Sequence, residues 1–215
     1  MSVSSRSNIG YTLIELMISL SLLTALVLSV FEVTQRSANA VRTGAVVTQL
    51  QADSERTLRR VVDRVQMTSS GRLTPRLASP LSSPRCEFQL PIGFDGSDVV
   101  WSTAQSLSFE LDTLEVDDGI DNDGDGLVDE GRVIWTESAG DPNSRTVSWA
   151  SGVRRYLEGE EPNNIDDNGN GLIDESGFAI SVDDEIVTIW LTLERIETGD
   201  STLIHTSRAS VRLRN

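Results

Sequence analysis

Apolar positions change their spacing along the chain. Residues 11–31 are almost wholly apolar, with Glu15 as the charged exception. As a helix, this stretch spans about 30 Å, the thickness of a bilayer core. No Pro or Gly interrupts the chain from Tyr11 to Thr43. Further on, Val46, Val47, Leu50, Leu58, Val61, Val62 and Val65 recur at helical spacing, with Arg59, Arg60 and Arg64 between them on the solvent side. The pattern predicts one long helix over residues 11–67, loosened at Gly44, whose second half is amphipathic and packs on a head. Pro75, Pro80 and Pro84, with several Ser, mark a surface connection. The spacing then becomes strand-like, predicting strands at 87–90, 106–111, 132–137, 146–149, 186–196 and 202–213, with Gly199 and Asp200 in the last turn. The expected class is α+β: a long N-terminal helix, transmembrane in its first half, packed on an antiparallel β-sheet head. The head covers residues 68–215.

Residues 1–10 are polar and carry one charge, Arg6, which favours a cytoplasmic start with the rest of the chain outside. The small residue Gly10 precedes the apolar run, so cleavage there leaves the anchor on the protein. A carboxylate as deep in an anchor as Glu15 needs a partner. The string Gly10-Tyr11-Thr12-Leu13-Ile14-Glu15-Leu16-Met17-Ile18 resembles the cleavage and methylation motif of the type IV pilin family. The resemblance implies that prepilin peptidase cuts between Gly10 and Tyr11 and methylates the new N-terminus. Tyr11 stands where Phe is more usual. It also implies that Glu15 directs assembly with other pilin or pseudopilin subunits, by pairing with a neighbour's N-terminal amine. Loss of residues 1–10 leaves 205 residues with net charge −16, against 215 and −15 before cleavage. The implied location is the bacterial inner membrane, single-pass, with the head on the periplasmic or extracellular side.

The closing hairpin and the terminal VRLRN are similar to the C-terminal ends of J-type pseudopilins and W-type minor pilins, and the anchor without Pro or Gly resembles that of a minor subunit more than that of a filament-forming major one. That likeness implies a minor subunit of a type II secretion or type IV pilus machine, serving protein transport or pilus assembly by capping or initiating a filament.

The charge is uneven. All 18 basic residues are Arg, and between Glu110 and Glu185 there are 22 acids against 4 Arg, a local net of −18 that leaves the remainder at +3. No basic footprint for nucleic acid exists. The acids concentrate in two segments, IDNDGDGLVDE at 120–130 and IDDNGNGLIDE at 165–175, which align without a gap at an offset of 45 residues. Oxygen-bearing side chains alternate in each: Asp121, Asp123, Asp125, and Asp166, Asn168, Asn170. Such side chains converge on a Ca²⁺, which takes six to eight oxygen ligands. The Gly that follows, Gly126 or Gly171, permits the turn that aims the carbonyl of Leu127 or Leu172 at the ion. Val128 or Ile173 is expected to anchor the loop to the core, and Asp129 or Asp174 to close the site.

This resembles the first nine positions of an EF-hand loop. It departs where the bidentate Glu belongs, since Arg132 and Gly177 stand there and strand-like sequence follows. Glu130 and Glu175, or Asp118 and Asn163, complete the coordination. One or two Ca²⁺ are expected, in loops spanning 117–131 and 161–177, with the first loop the tighter because it has more carboxylates.

Enzymatic chemistry is not expected. The single His205 reads as a strand residue and the single Cys86 as a thiol without a His to activate it. The carboxylates have ligand-like spacing, without a nucleophile–base set or a phosphate loop. The alternative to an assembly subunit is a calcium-dependent adhesin displayed on a pilus-like filament.

Overall fold

A computed structural model describes residues 12–197 and 201–214. The helix α1 runs Leu13–Val65 and continues through Gly44 without a break. A short 3₁₀ turn at Ser70–Arg72 leads into the strands β1 (Leu73–Thr74), β2 (Arg85–Phe88), β3 (Pro91–Asp95), β4 (Asp98–Trp101), β5 (Gln105–Leu111), β6 (Gly131–Glu137), β7 (Arg145–Val153), β8 (Phe178–Asp183), β9 (Ile186–Glu197) and β10 (Ser201–Arg212). The fold is α+β, a long helix with an antiparallel sheet, as expected from the spacing of apolar residues. The expected turn at Gly199 and Asp200 lies outside the described residues.

The chain divides into two compact units, Met1–Ala45 and Val46–Asn215. In the first, the described part is helix whose apolar side chains, from Leu13 to Phe31, are all exposed. This helix is long and apolar enough to cross a membrane, and none of its apolar window is buried.

In the second unit the helix turns a narrow face inward. Leu50, Ser54, Thr57, Leu58, Val61 and Val65 are buried, recurring every three to four residues. Leu50, Leu58, Val61 and Val65 share one core with Cys86, Phe88, Leu107, Val133, Trp135, Ile189, Leu191 and Leu193 of the sheet. Polar contacts fix the face. The Thr57 hydroxyl donates to the Trp149 carbonyl at 3.2 Å, and Arg195 pairs with Asp53 at 2.9 Å. Arg59 and Arg60 are exposed, whereas Arg64 is half-buried. Its guanidinium lies 5.3 Å from the centroid of the Trp135 ring, which stacks on Trp149.

The main sheet follows the order β1-β2-β5-β6-β7-β9-β10. One edge of the twelve-residue β9 is shared: β7 meets it at Val153 opposite Leu193, and β8 pairs from Phe178 opposite Leu191 to Asp183 opposite Ile186. Sequence spacing missed β8 and the separate β3–β4 hairpin. The first five residues of β8 are all buried, so no alternation betrays the strand. The hairpin contains Pro91, Gly93 and Gly96 and leaves Ile92 and Phe94 exposed.

The register places the acidic loops. Leu111 pairs with Gly131, Gly131 with Val153, and Val153 with Leu193. The β5–β6 connection and the β7–β8 connection therefore leave the sheet at the same end. The first contains residues 120–130 and the second 165–175.

Candidate functional site

The two loops repeat in conformation as well as sequence. Gly126 and Gly171 have φ of 94° and 91°, and Gly124 and Gly169 have 80° and 73°. Asp129 and Asp174 have 51° and 49°, and Gly119 and Asn164 have 78° and 62°. The last pair lies upstream of the matching strings, so the structural repeat is longer than the sequence repeat.

The hydrogen bonds repeat in the same register. Asp121 accepts from the Gly124 and Gly126 amides at 2.6 and 2.8 Å, and Asp166 from Gly169 and Gly171 at 2.7 and 2.9 Å. Asp123 and Asn168 accept from Asp125 and Asn170 N–H, each at 3.0 Å. Asp125 and Asn170 accept from the Leu127 and Leu172 amides at 2.9 and 2.8 Å. Each alternate residue thus braces a turn two to five residues ahead.

Asp129 and Asp174 point the other way. Asp129 accepts from the Asp118 and Gly119 amides at 3.1 and 2.8 Å. Asp174 accepts from Asn163 and Asn164 at 2.9 Å. The anchoring residue also differs from expectation. Leu127 is 8% exposed and Leu172 1%, whereas Val128 is 46% exposed. The positive φ of Gly126 turns the next side chain, not the one after it, toward the sheet. Leu172 packs with Leu157, Ala179 and Trp190.

Glu115 and Glu160 went unnoticed in the sequence. Both are buried, and they stand at the same offset as the loops. Glu115 accepts from the Asn122 and Asp123 amides at 3.0 Å, and Glu160 from the Asn168 amide at 2.9 Å. In the first loop, carboxylate oxygens of Glu115, Asp123 and Glu130 lie within 4.8 Å of one another, and so do those of Asp121, Asp123 and Asp125. Asp118 instead accepts from the Ile120 amide at 3.0 Å, and Asn163 from Ile165 at 2.8 Å. Burial, with Asp125, Glu115 and Asp123 nearby, pushes the Glu130 carboxyl up to about 7. A hard, oxygen-seeking cation suits these residues.

Beside them, Glu194 of β9 is also pushed up to about 7 by burial, although Arg154 pulls it down from 3.8 Å away. A cavity of about 340 Å³ joins Glu194 to Asp125, Leu127 and Glu130. Neither Cys86 nor His205 belongs to this region's chemistry. Burial pushes the Cys86 thiol up to about 12, and His205 Nε2 lies 3.0 Å from the Ser207 hydroxyl on β10.

At the other end of the chain, Gly10 and Tyr11 lie outside the described residues. Glu15 sits in the first turn of α1, where its carboxylate accepts from the Thr12 amide and hydroxyl, both at 2.9 Å. The Glu15 amide donates back to the Thr12 hydroxyl at 3.3 Å. This reciprocal arrangement is a capping box. It gives the glutamate a local partner at the start of an apolar, unburied helix.

No curated protein and no solved structure matches the chain. Residues 5–31 match the family model for the prokaryotic N-terminal methylation motif, which covers Gly10, Tyr11 and Glu15. With the long apolar helix that follows, the match supports a type IV pilin-like prepilin, for which processing by prepilin peptidase, assembly with other pilins and a single-pass anchor are implied.

Proposed function

We propose that the protein is a minor pseudopilin or minor pilin of a type II secretion or type IV pilus system, with a head stabilised by calcium. The observation that carries this is the methylation motif at residues 5–31, followed at once by an apolar helix with no buried residue in its window. The leader is removed after Gly10, and the anchor holds the subunit in the inner membrane. Glu15 exchanges its local Thr12 partner for a neighbour's N-terminal amine, an exchange favoured in hydrocarbon because a charge there needs a full counter-charge. The subunit then caps or initiates a filament and performs no chemistry itself.

Calcium acts on the head. Residues 115–130 hold eight acids and no Arg, and residues 160–175 hold six acids and no Arg. Their self-repulsion opposes compactness, and bound Ca²⁺ offsets it. The test is Glu15→Leu in cells that carry the whole machine. Membrane insertion and leader removal should persist while incorporation into filaments is lost. Normal incorporation of the variant would overturn the assembly role.

A further inference from the structure

Each acidic loop is bracketed by two buried glutamates fifteen residues apart, Glu115 with Glu130 and Glu160 with Glu175. Three of these side chains hold an oxygen that is buried and has no hydrogen-bond partner: Glu130 Oε2, Glu160 Oε2 and Glu175 Oε2. The residues are 2%, 5% and 1% exposed. A buried carboxylate oxygen without a donor carries a large desolvation penalty, and proteins resolve it with a proton, a donor or a metal ion.

The surroundings favour a metal ion. A carboxylate oxygen of Glu130 lies within 4.8 Å of carboxylate oxygens of Glu115 and Asp123. In the second loop, Asn168 bridges the pair. Its amide N–H donates to Glu160, and its side-chain Nδ2 reaches Glu175 Oε1 at 3.4 Å. The Asn170 side chain also donates to Glu175 Oε1. Two amides thus partly supply what a cation supplies in full, while the first loop has Asp123 and Asp125 in those places and no such donors. Asp129 and Asp174 spend their carboxylates on the upstream amides of residues 118–119 and 163–164, and Asp129 belongs to neither carboxylate group of the first loop. Glu115 also accepts backbone amides, from Asn122, Asp123 and, at 3.2 Å, Asp129, but its carboxylate lies within the group that contains Glu130.

Resting on the calcium reading above, we propose that each loop takes one divalent cation of the calcium type against its pair of buried glutamates, Glu115 with Glu130 and Glu160 with Glu175, while Asp129 and Asp174 brace the backbone and do not coordinate. The first site is the tighter. At the second, the ion must displace two side-chain amides from Glu175.

The experiment is calorimetric titration of the full chain in detergent with CaCl₂, with melting curves recorded in chelator and in calcium. Wild type should take up two ions of unequal affinity. Glu130→Gln should lose the tighter ion, Glu175→Gln the weaker, and the double variant both. These variants should melt no lower than wild type in chelator, because each removes a buried charge. Asp129→Asn and Asp174→Asn should melt lower yet keep both ions. Retention of both ions by the glutamate variants, one ion in wild type, or loss of an ion in the Asp129 or Asp174 variants that still melt cooperatively would overturn the ligand assignment. No binding by wild type would overturn the calcium reading itself.

Discussion

Arg155 holds Asp117 with two parallel bonds, Nε to Oδ1 at 3.0 Å and Nη2 to Oδ2 at 2.8 Å, across 38 residues of sequence. The same guanidinium reaches the Ser176 hydroxyl at 3.4 Å and lies over the rings of Phe109 and Tyr156. Asp117 stands just before the string at 120–130 and Ser176 just after the string at 165–175, so one side chain ties the start of one loop to the end of the other.

Arg155→Lys keeps the charge but loses the fork and the ring contacts. The Arg155–Asp117 pair is partly exposed, so the expected loss is modest, about 1 kcal/mol. Asp117 is held below its ordinary range chiefly by its Arg155 hydrogen bonds. The stabilisation is therefore present above the ordinary carboxylate value and disappears as pH falls through the lowered one. Urea unfolding at pH 7 and at pH 3 checks both points. The variant should be weaker at pH 7, and the gap should narrow at pH 3.

Glu194 behaves in the opposite sense. Its folded value of about 7 lies above the ordinary 4.5, chiefly because of burial. Its contribution is complete below about 4.5 and is lost as pH rises through 7. In chelator, Glu194→Gln should therefore flatten the fall in stability between pH 5 and pH 8, by on the order of 1–3 kcal/mol. Thermal melts across that range measure it, and a variant that is less stable than wild type at pH 8 contradicts the burial argument.

Leu172 and Val128 separate anchoring from exposure. Leu172→Ala empties a space among Leu157, Ala179 and Trp190 and should cost about 2–5 kcal/mol. Val128→Ala, at a side chain left 46% exposed, should stay within about 0.5 kcal/mol of wild type. Denaturant midpoints at constant slope provide the comparison.

The same pair shows what sequence could and could not reveal. The helix is legible because a 21-residue, mainly apolar stretch at 11–31 followed by a periodic stripe admits one reading, and α1 covers nearly the span expected. The alternating Asp and Asn positions announce a tight loop, but which apolar neighbour turns inward depends on the φ of Gly126 and Gly171, which spacing does not encode. Glu115 and Glu160 had a readable signal that the eleven-residue match passed over. Both are glutamates five positions before the first Ile of their loop. β8 had none, because a strand buried on both faces looks like any short apolar run.

Cleavage at Gly10 is the step on which anchoring and assembly both depend. Intact mass and N-terminal sequencing of the chain, produced with and without prepilin peptidase, measure it directly. The expected product is a mature chain of 205 residues that begins with a methylated Tyr11, with an uncut chain for Gly10→Val. An unprocessed wild type, or the same N-terminus in the Gly10→Val variant, would contradict it.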